Sequence, residues 1–380
     1  MSIAIIDARE WQQQFDLRTG IKADASGPLT DKVKRIIGTH YYPGDMDPAS
    51  NRWVSDMALK VIETYAPQFV FLTYARQYFV DRFGSLTQSE RRAMIADVFA
   101  ETEYFARQSG CETMIVGRGG MMPLAGEIDL TKLNGLATLS HWSARYAGLH
   151  GPSAADLELL AADKHVARIV SRAEFLALFA GEDEQAGRVP DYLLVAKPGH
   201  AFRALGCTIR RSVMIPEAGE YIPVMGDILP GGEITAIKPA IMDALGRGRR
   251  VALIVLEGVG MDDFPAEAVP CRNGKGWFHY EPGDAQYLTI TGGTHRVFDY
   301  PPGYRFYAED SGHKEYPLSG YFNRIPAGTI GVDFPGRSIA VGNKSMFMHM
   351  VAGTDICVEC FARNLYNQGT LAVVHREDKA

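Results

Sequence analysis

Between Asn51 and Glu63 the string NRWVSDMALKVIE sets Trp53, Met57, Leu59, Val61 and Ile62 at near-helical spacing, and Pro67 then stops the helix. The apolar run Gln68-Phe-Val-Phe-Leu-Thr73 that follows has the pattern of a buried strand. Residues 87–108 predict a second long amphipathic helix, with Thr87 and Glu90 at capping-box spacing and Gly110 just past its end. Cys111-Glu-Thr-Met-Ile-Val116 reads as the next strand. Strand, helix, strand at these lengths is a βαβ unit, and such units build mainly parallel sheets covered by helices. Helices near 153–162 and 172–180 lead, across a polar loop at 181–188, to a strand at 191–197. The segments 68–73, 112–116 and 191–197 are expected in one sheet over residues 38–205, with the two long helices packed on it.

After about residue 205 the texture changes. A helical pattern survives at 235–246 and leads to a strand at 250–257; glycine, proline and aromatics dominate from there. Segments 286–291, 328–332, 338–341, 356–361 and 371–374 are short and β-prone, and Pro-Gly signals such as Pro282-Gly-Asp separate many of them. The fold class predicted is therefore α/β. A mainly parallel sheet flanked by helices occupies residues 1–205, and a mixed, then β-rich, region occupies 206–380.

Composition narrows the function. A length of 380 residues suits two or three domains at about 150 each. With 39 basic against 45 acidic side chains the net charge is -6, which argues against a nucleic-acid-binding face spread over the protein, because counterion release needs a basic surface. The longest apolar runs fall far short of the roughly 18–20 residues of a membrane span. The start of the chain shows neither a charged n-region nor a continuous apolar h-region, so a cytoplasmic location is expected, with no membrane partner. Five scattered cysteines, Cys111, Cys207, Cys271, Cys357 and Cys360, do not resemble a secreted disulfide framework. Cys357 and Cys360 form C-x-x-C, but no second pair completes a zinc site.

A series of landmarks then resembles the nucleotide pyrophosphatase and phosphodiesterase branch of the alkaline phosphatase superfamily. They are Arg52-Trp-Val-Ser-Asp-Met-Ala58, Pro67-Gln-Phe-Val-Phe-Leu72, Gln77-Tyr-Phe-Val-Asp-Arg-Phe-Gly84, Val116-Gly-Arg-Gly-Gly-Met121, Pro123-Leu-Ala-Gly-Glu-Ile-Asp-Leu130 and Asp191-Tyr-Leu-Leu-Val-Ala-Lys-Pro-Gly-His-Ala-Phe202. Their order and spacing agree over roughly 150 residues. The resemblance implies an alkaline-phosphatase-like fold and a hydrolase that uses two divalent metals to activate a Thr or Ser nucleophile and clamp a phosphoryl group. This sequence departs from that pattern at the ligands. Gln77 and Asp81 stand where the first motif has Asp and His, Arg118 and Gly119 replace Asp and His in the second, and His200 is displaced from the third. The strand that carries a metal-binding Asp ahead of the nucleophile is missing from its usual place. Arg250-Val-Ala-Leu-Ile-Val-Leu-Glu-Gly-Val-Gly260 resembles it, with Glu257 for Asp, so a rearranged order would restore the sheet.

The expectation is a divergent phosphatase-type hydrolase acting on a small phosphate- or carboxylate-bearing molecule without metal or other cofactor. The alternative is a non-catalytic binding or assembly protein, and a homo-oligomer is possible in either case. Arg118, in the turn Gly117-Arg-Gly-Gly120 after a strand, is placed to offer a guanidinium to an anion at the sheet's ligand-binding edge; otherwise it is a surface arginine. Gln77, Asp81 and Tyr78 are expected in the same pocket, with Asp81 pairing Arg118. A second group lies in the C-terminal half: Thr289, Thr291, Thr294 and His295, then Glu309, Asp310 and His313, then Asn343, Lys344, Ser345 and His349. Cys271, beside Arg272 and Lys275 on an expected exposed turn, has the surroundings that lower a thiol pKa.

Overall fold

The computed structural model describes residues 2–7, 13–16, 21–22, 35, 39–139, 145–179, 189–203, 212–297, 327–344, 348–359 and 370–375. Strands β1 (Ser2–Asp7), β2 (Gln13–Asp16) and β3 (Ile21–Lys22) come first, then helix α1 (Ser50–Tyr65). Strand β4 (Phe69–Tyr74), short helix α2 (Arg76–Phe83), long helix α3 (Gln88–Ser109) and strand β5 (Glu112–Gly117) follow. Helix α3 begins as its sequence predicts. The Glu90 amide donates to Thr87 Oγ1 at 3.3 Å and the Thr87 amide to Glu90 Oε2 at 2.8 Å, and Gly110 closes the helix at φ 62°.

Residues 121–216 leave the main sheet and return to it. Strand β6 (Met121–Pro123) pairs antiparallel with β13 (Met214–Pro216), and β7 (Gly126–Asp129) runs parallel to β12 (His200–Arg203). Between them β8 (Leu136–Thr138), β9 (Tyr146–His150), β10 (Val166–Ser171) and β11 (Tyr192–Ala196) form an antiparallel sheet in the order β10-β11-β9-β8, with helices α4 (Ala154–Ala162) and α5 (Arg172–Leu178). The strand expected at 191–197 therefore exists, but in this smaller sheet and not beside β4 and β5. A short apolar strand fits either sheet by its own pattern; its partners decide, and it is paired antiparallel on one side with Tyr146–Leu149 and on the other with Val166 and Arg168–Ser171. Leu149, Leu160, Leu194 and Phe202 give this layer its own core.

The remaining elements are β14 (Tyr221–Gly226), α6 (Ile237–Gly246), β15 (Val251–Leu256), β16 (Val269–Arg272), β17 (Gly274–Lys275), β18 (Phe278–His279), α7 (Asp284–Gly292), α8 (Ile330–Asp333), β19 (Ser338–Gly342), α9 (Met348–Ala352), β20 (Ile356–Glu359) and β21 (Thr370–His375). They complete a sheet of order β16-β14-β5-β15-β4-β19-β20-β1-β21-β2-β3. The stretch β5-β15-β4-β19-β20-β1 is parallel throughout. Both faces are covered. Along β4, Phe69 and Phe71 face one core with Ile237, Ile241 and Tyr287, while Val70, Leu72 and Tyr74 face the other with Trp53, Met57, Ile95 and Phe105. Burial on two faces is why these strands read as continuous apolar runs instead of alternating ones.

Two segments expected as strands are helical. Residues 286–291 lie in α7, where Thr289 and Thr291 donate back to the carbonyls of Ala285 and Tyr287 at 2.9 and 3.0 Å, satisfying hydroxyls whose β-branched neighbours favour strands. Residues 328–332 lead into α8. Glu309, Asp310, His313, Ser345, Cys207, Cys360 and the side chain of His349 lie outside the described residues, as does the loop expected at 181–188.

Candidate functional site

Strands β5, β15, β4 and β19 are parallel neighbours, so the residues just past their C-terminal ends gather at one edge. These residues are Arg118, Glu257, Ala75 to Gln77 at the start of α2, and Asn343 with Lys344. Close approach of two turns makes the gathering tight. A Cβ on Gly260 would lie 2.7 Å from the Gly120 amide nitrogen, and one on Gly117 would lie 2.5 Å from the Val259 carbonyl oxygen.

Glu257 is the centre of the cluster and is fully buried. Its Oε1 accepts from Arg118 Nη1 and from the Tyr287 hydroxyl, and its Oε2 accepts from Lys344 Nζ at 2.7 Å. The Arg118 guanidinium lies 3.4 Å from the centre of the Tyr287 ring and donates through Nε to Gln286 Oε1 at 2.8 Å and through Nη2 to the Gly283 carbonyl. Gln286 returns a bond to the Arg118 carbonyl at 3.0 Å and donates to Asn273 Oδ1 at 2.8 Å. Lys344 Nζ also sits 4.2 Å from the centre of the Tyr78 ring. Burial alone would raise the Glu257 carboxyl, but Arg118 and then Lys344 hold it down to about 2. Burial also lowers the Lys344 ammonium, to about 8, against the opposing pull of Glu257.

A neutral layer lies beside the ions. Gln77 donates to the carbonyls of Tyr74 and Glu257, both at 2.7 Å, and accepts from Asn51 Nδ2 at 3.1 Å. Asn343 donates to Asn51 Oδ1 at 2.9 Å and to Ser50 Oγ at 2.8 Å, and accepts from the Ala75 amide. Gln77 and Arg118 thus meet the same residue, the first at the Glu257 carbonyl and the second at its carboxylate.

The other expected members are elsewhere or differently engaged. Asp81 pairs with Arg91 at 2.9 Å and not with Arg118, and Arg91 is pinned in turn by Asp263; burial raises the Asp81 carboxyl despite Arg91. The separation has a simple cause: Asp81 lies one turn beyond Gln77 on α2, facing α3, while Arg118 projects across β15. Arg118 is not a surface residue, since it is fully buried. Tyr78 is buried and its hydroxyl accepts from Arg82. Cys271 is no exposed thiol: it lies inward on β16 opposite Ile222, and burial, followed by Glu233, pushes it up to about 12. His295 is partly buried against Tyr280, with Nδ1 3.2 Å from the hydroxyl, and burial lowers its pKa. Lys344 and Glu257 were legible by the same rule that selects Arg118, position immediately after a parallel strand; Gln286 and Tyr287 were not, because their helix reads as a strand.

The two-metal centre implied by the resemblance does not fit these residues. Gln77, Arg118 and Gly119 stand where the resemblance implies ligands, and Glu257, which it implies in place of an Asp, is already held by a guanidinium and an ammonium. Among the described residues no group of three or more His, Cys, Asp or Glu is placed to hold a metal ion, and no helix is long and apolar enough to cross a membrane.

No protein-family model matches the chain, and no curated protein matches it. Part of it is similar to the solved structures of phosphonoacetate hydrolase from Sinorhizobium meliloti 1021. The complex with phosphonoformate is 14% identical with a TM-score of 0.30, and the complex with phosphonoacetate is 11% identical with a TM-score of 0.30. Each match covers 47% of this chain and 51% of the other, so the chain spans about half the length of the proteins it matches.

Proposed function

We propose that this chain is a divergent phosphatase-like hydrolase that handles a small phosphate- or carboxylate-bearing molecule at the C-terminal edge of its central sheet, with fixed cations in place of metals. The observation that carries the reading is the Arg118–Glu257–Lys344 cluster at the ends of β5, β15 and β19. Ligands of open α/β sheets bind outside that edge, and preorganised cations in a water-poor site stabilise developing negative charge. Arg118 fixes Glu257 from within. Lys344 is the cation with the most readily released proton, and its ammonium supplies the positive charge towards the ligand.

A second reading, a non-catalytic binding or assembly protein, draws on a specific observation. Every guanidinium nitrogen of Arg118 already donates to a protein acceptor, as a structural ion cluster would require. Phosphomonoesters and phosphodiesters assayed with excess chelator separate the two. Turnover that survives chelation and is lost in Lys344→Met supports the enzyme. Turnover only with added zinc or manganese overturns the metal-free reading, and absence of both turnover and anion binding leaves the non-catalytic one.

A further inference from the structure

A cleft of about 270 Å³ opens between α1 and α3 at the start of α2, lined among others by Asn51, Arg52, Arg76, Asp97 and Glu101. The Asn51–Gln77 bond stands between it and the Glu257 cluster, so it is a separate cavity on the same side of the sheet. Its charges are unevenly matched. Arg52 is spoken for: its guanidinium lies 4.0 Å from the centre of the Tyr104 ring and donates through Nε to Glu101 Oε2 at 2.8 Å. Arg76 has no side-chain partner among the described residues, and its Nε is buried. The other carboxylate oxygen of Glu101, Oε1, is buried without a partner too. Asp97 lies one helical turn before Glu101 on α3, on the same face. A half-buried guanidinium with nothing to bind thus shares a small cleft with an unsatisfied carboxylate oxygen and a second carboxylate.

Buried polar groups without partners are rare, and each needs an explanation. An anion alone would satisfy Arg76 but meet Asp97 and Glu101; a cation alone would do the reverse. We propose that this cleft binds a small zwitterion, its phosphate or carboxylate on Arg76 and its ammonium against Glu101 Oε1 and Asp97, with Met94, Val98 and Ala100 flanking the short chain between the charges. A planar guanidinium suits either oxyanion because it donates two parallel hydrogen bonds. The site stands apart from the hydrolase reading, since a binding protein would use it equally.

The test is calorimetric titration of the intact chain with phosphoethanolamine and with glycine, using inorganic phosphate and ethanolamine as single-charge controls. Phosphoethanolamine or glycine is expected to bind at least tenfold more tightly than either control. Arg76→Gln and Asp97→Asn should each weaken that binding about ten- to hundredfold, the effect of losing a charge-assisted hydrogen bond. Because the Arg76 side chain has no partner among the described residues, its variant should keep the wild-type melting temperature. Arg76→Lys, which keeps the charge but loses the fork, should bind with intermediate strength and serves if Arg76→Gln does not fold. Binding of phosphate as tight as that of phosphoethanolamine, wild-type affinity in Arg76→Gln, or no binding of either zwitterion at millimolar concentration would each overturn the proposal. None of these outcomes depends on turnover, so the site and the hydrolase reading fail separately.

Discussion

Glu257 holds two cations while all three side chains are buried, and that arrangement decides what its loss does. In Glu257→Gln both Arg118 and Lys344 keep their burial and lose their counter-charge; breaking a buried ion pair from one side costs about 3–5 kcal/mol. Urea denaturation should show a loss of that size. Replacing all three, Arg118→Met, Glu257→Leu and Lys344→Met, removes the desolvation penalty together with the pairing, and should recover most of it. The pH dependence follows from the two shifts. Glu257 sits at about 2 against an ordinary 4.5, so its contribution is complete above pH 4.5 and fades as pH falls towards 2. Lys344 sits at about 8 against 10.5, so the unfolded chain binds more protons between those values and stability should rise with pH across that window. Denaturation midpoints measured across both windows check the signs; a fall in stability between pH 8 and 10.5 that is absent from Lys344→Met would contradict the second. Cysteine chemistry gives a further residue-scale expectation. Cys111, Cys271 and Cys357 are all buried, and burial raises each thiol, so none should react with iodoacetamide until the protein is unfolded, as peptide mass mapping can show. In the sequence Cys271 is a candidate reactive thiol, or else a plain loop cysteine, because Arg272 and Lys275 lie close by on an expected turn. Flanking charge is visible along the chain, whereas the inward face of an edge strand is not.

Elements were most legible where local chemistry and tertiary packing agree. Helix α3 carries its own start and stop, and β4, β5 and β15 are apolar runs of strand length; each lies where the pattern places it. Helix α7 shows the opposite case. Its Thr289-Ile-Thr291 run favours a strand, and tertiary burial of Gln286 to Thr291 overrides that preference, the buried hydroxyls being satisfied by preceding carbonyls. The site depends on such elements meeting at their ends, and the β5 and β15 turns meet backbone to backbone. Gly260→Ala would push a methyl to 2.7 Å from the Gly120 nitrogen, where neither side is a flexible side chain. The expected destabilisation is about 1–3 kcal/mol, as for other forced overpacking. The shift should also move Arg118 away from Glu257, so thermal melts of Gly260→Ala and Glu257→Gln combined should fall short of the sum of the single losses. Strict additivity would mean that the turn contact and the ion cluster are independent.

Strand order is the part of the fold that the sequence conceals, because it is a property of the whole molecule. Strands β4 and β5 are successive strands joined by α2 and α3, and the simplest βαβ arrangement sets them side by side. Instead β15, about 130 residues later, lies between them, pairing with β4 from Val251–Phe69 to Leu256–Tyr74 and with β5 from Val251–Glu112 to Leu256–Gly117. The apolar run 250–257 signals a buried strand in the sequence, but nothing in so short a run says which strands it will join or in what register. A consequence can be measured. Strands on both sides of residue 205 share the central sheet, so a polypeptide ending at 205 would keep β4 and β5 but no strand to join them, leaving β-edges that are apolar on both faces. The complementary piece, 206–380, would hold β15 with neither neighbour. Unpaired apolar edges template aggregation, and parallel pairing that spans such sequence separation rewards the chain only after both partners are present. Each piece expressed alone should therefore lack a cooperative urea transition and near-ultraviolet circular dichroism, while the two expressed together should regain both if β15 can insert between β4 and β5. A cooperative transition in the 1–205 piece by itself would show that β15 is an addition to a self-sufficient sheet and not its centre.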